Sequence, residues 1–167
     1  MRIREAEQED AARLIALFEA LYAETKFMML EPGEAVPPVE RYADRIAQGA
    51  RTASELWFLA EAEGQLIGVC FGRRGFAKRN RHSLFLVIGV LQAWSGRGVG
   101  GALLQAMEQW ARSSAIHRLE LTVIATNTRA IALYDKFGFE REGTKRHSVF
   151  VGGEYVNELY MAKLLSP

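Results

Sequence analysis

Four glycines within six residues are the part of this 167-residue chain whose spacing most directly predicts chemistry. Residues 84–91, before them, are apolar and β-branched, which is typical of a strand buried on both faces. Residues 97–112 predict an amphipathic helix. A glycine-rich turn between a strand and a helix leaves backbone N–H groups unpaired at the positive end of the helix dipole. We therefore expect this turn to bind a phosphate or pyrophosphate. The glycines are Gly96, Gly98, Gly100 and Gly101.

One interpretation of this turn is a dinucleotide site, because Gly96, Gly98 and Gly101 satisfy the pattern G-x-G-x-x-G. Glu120 lies about 20 residues further on, where dinucleotide folds place an acid that binds the ribose. However, four residues separate Leu91, where the predicted strand ends, from the first glycine, whereas a dinucleotide turn follows its strand directly. Glu120 also falls inside a predicted strand. An NAD(P)-dependent oxidoreductase is therefore the weaker interpretation.

The segment from Val90 to Gly101 also resembles the pyrophosphate loop of the GCN5-related N-acetyltransferases, whose pattern is R/Q-x-x-G-x-G. Gly98 and Gly100 match that pattern. The chain departs from it at Ser95, where the family usually has Gln or Arg. The resemblance implies that the loop holds the pyrophosphate of coenzyme A and that backbone groups near Val90 pair with the pantetheine arm.

A second motif of the same family is N-x-x-A-x-x-L-Y-x-K-x-G-F, and residues 127–139 are similar to it at every specified position. Asn127 is expected to cap a helix over 127–137, and the resemblance adds a contact with coenzyme A. Tyr134 lies two helical turns further on, on the same face. Its residue type alone favours a core position, whereas the resemblance implies a general acid for the departing thiolate. The coenzyme-binding residues implied are Val90, Gly96, Arg97, Gly98, Val99, Gly100, Gly101, Asn127 and Tyr134.

The reaction that the resemblance implies is attack by a primary amine on acetyl-CoA, without a covalent enzyme intermediate. Cys70 is then not needed as a nucleophile. The amine must lose a proton, and the candidate bases are Glu120, acting through a water, Glu31 and Glu34, although each is more often a solvated carboxylate. The three histidines show no metal-ligand spacing, so we predict no metal.

The acceptor pocket, by the same resemblance, is lined by the segment between the first two helices and by the last hairpin. Here these segments are residues 27–38 and 144–155. The first segment carries aromatic and acidic groups, and its Glu31 and Glu34 would suit a cationic amine. The C-terminal run, residues 142–156, resembles members of the family that act on free amino acids or similar small amines, although a peptide or protein N-terminus remains open. The predicted acceptor residues are Phe27, Glu31, Glu34 and Tyr155.

Composition narrows the remaining classes of function. A net charge of +1 argues against a general nucleic-acid or membrane-surface binder. The single cysteine and the absence of an apolar leader predict a cytoplasmic protein, and no apolar run approaches the length of a membrane span. Residues 72–82 are basic and predict a solvated hairpin, with a polyanion contact as the alternative. A coenzyme A sensor without activity also stays open, as does a homodimer.

The elements that must position these motifs read β-α-α-β-β-β-α-β-α-β-β. Only the strands 84–91 and 118–125 are linked by a parallel crossover, whereas a dinucleotide fold needs repeated βαβ units. We therefore predict one α/β (α+β) domain over residues 1–167. Its mixed, mostly antiparallel sheet has about seven strands, about four flanking helices and a splayed parallel pair.

Overall fold

The computed structural model describes residues 1–34 and 36–165. Residues 35, 166 and 167, which the predicted domain 1–167 includes, lie outside them. In the described residues, seven strands and four helices follow one another in the predicted order. The strands are β1 (Arg2–Glu5), β2 (Glu55–Ala62), β3 (Gln65–Arg74), β4 (Ser83–Val90), β5 (Arg118–Ile124), β6 (Glu140–Val151) and β7 (Glu154–Leu164). The helices are α1 (Ala11–Glu24), α2 (Val39–Thr52), α3 (Val99–Ser113) and α4 (Thr128–Lys136).

The strands form one sheet in the order β1-β2-β3-β4-β5-β7-β6, and every neighbouring pair except β4–β5 is antiparallel. The parallel strands β4 and β5 pair over only three residues each, from Ser83 opposite Arg118 to Phe85 opposite Glu120. Beyond this point β4 and β5 diverge, which confirms the predicted splay. The space between residues 86–90 and 121–124 is called the gap below.

The two faces of the sheet carry different helices. Helices α3 and α4 pack on one face, where Leu103, Met107 and Leu119 are at most 1% exposed. Helices α1 and α2 pack on the other face, mainly over β2 and β3, where Leu14 and Leu59 are fully buried. Among the described residues, no helix has both the length and the apolar character needed to cross a bilayer.

The prediction that residues 84–91 are buried on both faces is wrong at Phe85, which is 38% exposed. Leu84 and Leu86 face α3 and are buried, but Phe85 points to the opposite face at the position where α1 and α2 no longer cover the sheet. Tyr160 and Leu164 of β7 are exposed on the same side. The part of this face formed by β5, β7 and β6 is called the open face below.

A buried ion pair fixes the first strand against the first helix. Asp10 is 5% exposed and accepts hydrogen bonds from Arg4 at 2.6 and 2.7 Å. The Arg4 guanidinium lowers the pKa of the Asp10 carboxyl, although burial opposes it. A lowered folded-state pKa means that the charged carboxylate stabilises the fold above its unfolded pKa, and that this contribution is lost as the pH falls through the folded pKa.

Replacing Asp10 with Asn is therefore expected to lower the free energy of unfolding at pH 7 by about 3 kcal/mol, because Arg4 loses its buried partner. The variant should also lose less stability than the parent when the pH falls below about 4. Urea unfolding at pH 7 and at pH 3.5 measures both effects. Asp135→Asn is the matched control, since its pair with Arg141 is exposed at 3.8 Å and is expected to contribute less than about 1 kcal/mol.

Candidate active site

The glycine turn that precedes α3 has the geometry of an anion cradle. Gly96 and Gly98 have φ angles of 77° and 83°, which glycine adopts without strain. A Cβ atom added at either residue would meet nothing within 4 Å, so the space in front of the turn is open. The first helical hydrogen bond runs from the Ala102 N–H to the Gly98 carbonyl. The N–H groups of residues 99–101 therefore have no partner within the helix and are available to a ligand.

The other two glycines of the turn serve packing rather than the cradle. A Cβ atom at Gly100 would lie 3.0 Å from Leu133 of α4 and 3.9 Å from Val90 of β4. A Cβ atom at Gly101 would lie 3.4 Å from the Phe137 ring. The missing side chains thus let α3 approach both α4 and the end of β4. This approach brings the two sequence motifs together at the gap.

Backbone groups of β4 line one side of the gap. The Leu91 N–H donates to Ile67 of β3 at 3.0 Å, so this residue directs its polar groups away from β5. Backbone N–H and C=O groups point to alternate sides along a strand. Val90 and Ile88 therefore direct theirs toward the side where β5 has diverged. These groups can pair with an extended ligand arm that lies in the gap, as predicted for Val90.

Arg97 lies at the tip of the turn. Its guanidinium carbon lies 5.0 Å from the centroid of the Trp94 ring, a cation–π contact that holds a positive charge close to the cradle. Ser95, where the family pattern has Gln or Arg, ends the short 3₁₀ turn between β4 and the glycines. The cradle consists of backbone groups and does not depend on the side chain at that position.

Asn127 caps α4, as predicted. Its Oδ1 atom accepts a hydrogen bond from the Ala130 N–H at 3.2 Å, which satisfies one of the unpaired donors of the first helical turn. The side-chain amide of Asn127 keeps its N–H donors for another partner. At the other end of the helix, Gly138 has a φ of 80° and terminates it, also as predicted.

Tyr134 is 6% exposed and packs in the core between α4 and the sheet, with its ring 5.7 Å from that of Phe139. Burial raises the pKa of the Tyr134 phenol well above its usual value, and the nearby Cys70 adds to this shift. The phenol thus stays protonated and can donate a hydrogen bond across the ordinary pH range. Both roles considered for Tyr134, core residue and proton donor, are compatible with this position.

Cys70 occupies a structural position. It lies on β3 with no exposed surface, and burial raises the pKa of its thiol to about 12. The reactive form of a cysteine is the thiolate, which this environment disfavours. A nucleophilic role for Cys70 is therefore unsupported, in line with the sequence.

Glu120, the candidate base, lies at the closed end of the gap, opposite Phe85 in the last registered pair of β4 and β5. Its carboxylate accepts a hydrogen bond from the Arg118 Nε at 2.7 Å. Arg118 also binds Glu142 of β6, at 2.7 Å for the longer of two contacts. This network gives Glu120 a structural partner on the open face, and its part in proton transfer stays a prediction.

The first predicted acceptor segment follows α1 and begins beside the end of β4, where Glu24 accepts a hydrogen bond from the Gln92 N–H at 2.7 Å. Phe27 is partly buried, whereas Glu31 and Glu34 are exposed. The Glu34 carboxylate accepts from the Glu31 N–H at 2.8 Å, so it stabilises the turn to which it belongs. The Gly33 N–H donates to Glu19 Oε2 at 3.1 Å, so this turn folds back against α1. Contact of Phe27, Glu31 and Glu34 with an acceptor stays a prediction.

The second predicted acceptor segment is the hairpin between β6 and β7. It begins beside the end of β5, where the Ala125 N–H donates to the Asn157 carbonyl at 2.9 Å. Tyr155 is 66% exposed, and its ring stacks on His147 at 5.9 Å. The two predicted segments thus flank the carboxyl ends of β4 and β5, the strands that form the gap.

Sequence reasoning missed a buried carboxylate on the open face. Glu158 of β7 is 3% exposed, and Lys145 of β6 donates to it at 3.1 Å. Burial raises the pKa of Glu158, but hydrogen bonds from Thr122, Lys145 and Ser148 outweigh it and leave the pKa below its usual value. No local sequence signal identifies this cluster, since its members come from three strands.

The basic segment 72–82 lies at the opposite end of β4 from the glycine turn. Two of its arginines have structural partners: Arg73 binds Glu55 at 3.2 Å, and Arg74 donates to the Ser114 carbonyl at 3.3 Å. A surface cavity of about 600 Å³ lies beside it. Residues 75–82 form a loop held by its own hydrogen bonds, such as that from the Ala77 N–H to Asn80 at 2.9 Å. In the described part of the chain, no group of three or more His, Cys, Asp or Glu residues could hold a metal.

The seven-stranded sheet with one splayed parallel pair, together with the glycine turn before α3, is typical of one family of proteins. A family model described as the Acetyltransferase (GNAT) family matches residues 15–139, and the chain belongs to that family. Among solved structures, an acetyltransferase of the GNAT family from Streptococcus pneumoniae superposes with a TM-score of 0.94 at 31% identity. The superposition covers 98% of this chain and 99% of that one.

Two curated relatives differ in the substrate that their names give. The L-amino acid N-acetyltransferase AaaT of Escherichia coli is 40% identical over 90 residues, which are 52% of this chain and 54% of that protein. The spermidine N(1)-acetyltransferase of Escherichia coli is 26% identical over 162 residues, which are 96% of this chain and 84% of that protein. The matched region is thus only about half the length of the first of these relatives.

Proposed function

We propose that this protein is an N-acetyltransferase that moves an acetyl group from acetyl-CoA to the primary amine of a small molecule, with amino acids as the first candidates. The observation that carries the proposal is the gap between β4 and β5, which has a backbone anion cradle at its open end and the phenol-bearing helix α4 against it. Family membership supports the same activity. The pyrophosphate of the coenzyme would lie on residues 96–101 and its pantetheine arm along Val90.

The chain's own groups have distinct tasks in the proposed reaction. The amine nitrogen attacks the thioester carbonyl carbon, a C–N bond forms, and the C–S bond then breaks. A backbone N–H on the gap side of β4, near Val90, would donate to the carbonyl oxygen as negative charge develops on it. Tyr134 would donate its hydroxyl hydrogen to the departing thiolate. Burial raises the pKa of Tyr134, so the phenol is fully protonated and has its hydrogen available when the thiolate departs.

Deprotonation of the attacking amine is assigned to Glu120 acting through a water, with Glu31 and Glu34 as the alternatives. Glu120 lies on the open face at the closed end of the gap, opposite Phe85, so a chain of waters would have to link it to an amine near Val90. Its Arg118 partner occupies one carboxylate oxygen only. The other oxygen is available to a water. Phe27 and Tyr155 would supply apolar surface on either side of the acceptor.

Two functions are alternatives to a small-molecule acetyltransferase, and the experiment below distinguishes the first of them. A coenzyme A sensor would bind the coenzyme without turnover, an alternative kept open by Ser95 at the Gln/Arg position of the family pattern and by the structural partners that hold the candidate bases Glu120 and Glu34. An acetyltransferase for peptide or protein N-termini would use the same cradle and Tyr134 with a longer acceptor groove. The presence of Tyr134, which the family resemblance makes the proton donor, argues against the sensor.

The deciding experiment measures thermal stability with acetyl-CoA, coenzyme A, NADH or ATP, followed by thiol release with a panel of amines. A ligand that binds only the folded state stabilises it by about 2.7 kcal/mol at a hundredfold excess over its Kd. We expect stabilisation by acetyl-CoA and coenzyme A, with thiol release only when an amine is present. Binding without amine-dependent release would favour the sensor, and stabilisation by NADH alone would contradict the proposal.

A further inference from the structure

The ion pair between Lys145 and Glu158 has an asymmetric burial. The Glu158 side chain is 3% exposed, whereas that of Lys145 is 42% exposed. Their charged atoms, Nζ and Oε2, are 3.1 Å apart. Glu158 is therefore a fixed anchor, and the ammonium group of Lys145 reaches the surface of the open face with donors left for a second partner.

This pair lies beside the gap. Glu158 stands opposite Ile124, the last residue of β5, and opposite Lys145 of β6. The Thr122 hydroxyl of β5 also bonds to the Glu158 carboxylate. Neighbouring strands are about 4.8 Å apart, so Glu158 lies one strand, and the Lys145 backbone two strands, from β5, which forms one wall of the gap. Through its contact with Glu158, the Lys145 side chain reaches back from β6 to β7, so its ammonium group lies beside the strand next to β5.

An irregular backbone holds the lysine in this place. The register of β6 against β7 shifts between Lys145 and Val149, and within the shift His147 has a left-handed φ of 49°. The His147 N–H donates to Asn157 Oδ1 at 2.9 Å, and the Ser148 hydroxyl lies 3.2 Å from the Lys145 carbonyl as well as beside the Glu158 carboxylate, so it can donate to either. A non-glycine residue in this conformation persists only where its surroundings impose it, and such strain clusters at ligand sites.

We propose that Lys145, positioned by Glu158, binds the carboxylate of the acceptor, so that the enzyme selects amines that carry a carboxylate. This inference rests on the proposed acetyltransferase function and specifies its substrate class. An α-amino acid would place its carboxylate on Lys145 and its amino group over the gap. The predicted acidic residues of the opposite segment, Glu31 and Glu34, would face its ammonium form. A polyamine has no carboxylate for Lys145 to bind.

The test compares acceptors that differ only in the carboxylate. The best acceptor among the twenty L-amino acids is measured beside its carboxamide, with spermidine and a tripeptide as further amines. Lys145→Met is expected to lower kcat/KM for the amino acid by about 10- to 100-fold, mainly through KM, because a charge-assisted hydrogen bond is lost. The kcat/KM for the carboxamide should change less than about twofold. Lys145→Arg should restore most of the preference for the amino acid over its carboxamide.

Arg146→Met is the matched control, since Arg146 is an exposed cation on the same irregular segment. This substitution should leave kcat/KM unchanged for the amino acid and for its carboxamide. If Lys145→Met is unstable because Glu158 is left buried without a partner, the double variant Lys145→Met with Glu158→Met removes the pair as a unit. That variant should show the same loss for the amino acid alone.

The outcomes separate this inference from the proposed function. Equal losses for the amino acid and its carboxamide, or no loss, would overturn the role of Lys145 while leaving an active acetyltransferase. Acetylation of spermidine or the tripeptide in preference to every amino acid would overturn it as well. Failure to bind acetyl-CoA at all would instead remove the proposed function on which it rests.

Discussion

Tyr134→Phe is expected to lower kcat by about 10²-fold while the Kd for acetyl-CoA changes less than about threefold. The substitution removes one hydroxyl and keeps a ring that is 94% buried beside Phe139, so the core and the cradle should persist. What is lost is the donor for the departing thiolate, which acts only as the C–S bond breaks. Steady-state kinetics with the best amine, together with calorimetric titration of acetyl-CoA, measures the two quantities.

The pH dependence of this variant gives a second measurement. Because burial raises the pKa of Tyr134 above its usual value, its ionisation should not shape the rate profile between pH 6 and 9. Parent and variant should therefore have parallel profiles that differ in height. Tyr42→Phe is the control, since Tyr42 is a partly buried phenol in the other helical layer, against Trp57. A Tyr134→Phe enzyme with full kcat would exclude the acid role.

The sequence was sufficient for those features that depend on local chemistry. The glycine turn, the Asn127 cap and the Gly138 terminus are each specified within a few residues, and all three are present. The element order and the single parallel pair followed from hydrophobic periodicity and from the one crossover long enough to join parallel strands. The splay itself came only from the family resemblance, since no residue type in β4 or β5 requires it.

The features that the sequence could not provide depend on contacts between distant segments. Phe85 is exposed because α1 and α2 stop short of β5, and an apolar run does not reveal how far a helical layer extends. Glu158 is buried between β5 and β6, which bring Thr122 and Lys145 to it, and the register shift that follows Lys145 adds Ser148. A register shift of this kind has no signature in either strand alone.

The four glycines illustrate the same limit within one motif. The sequence pattern does not distinguish the four glycines. In the structure, Gly96 and Gly98 have left-handed φ angles and open space beside them, whereas Gly100 and Gly101 pack against Leu133 and Phe137. The two pairs therefore serve different functions. Only the first pair provides a clean test of the coenzyme site, because substitutions in the second pair would also disturb the packing of α4.

Gly98→Val is expected to raise the Kd for acetyl-CoA by more than about 100-fold while the protein remains folded. Valine tolerates a φ of 83° poorly, so the turn should rearrange and turn its N–H groups away from the pyrophosphate. Its side chain would also occupy the open space that the anion needs. Calorimetric titration measures the affinity, and thermal unfolding without ligand measures the cost in stability.

Gly64→Val is the matched control for backbone strain. Gly64 has a φ of 76° in the turn between β2 and β3, also with nothing within 4 Å of an added Cβ atom, and that turn does not contribute to the gap. Both variants should lose a similar amount of stability, about 1–2 kcal/mol, because both place a β-branched residue in a left-handed conformation. Only Gly98→Val should lose the coenzyme. If it bound acetyl-CoA as tightly as Gly64→Val, the pyrophosphate would have to lie elsewhere, and the cradle would be only the start of a helix.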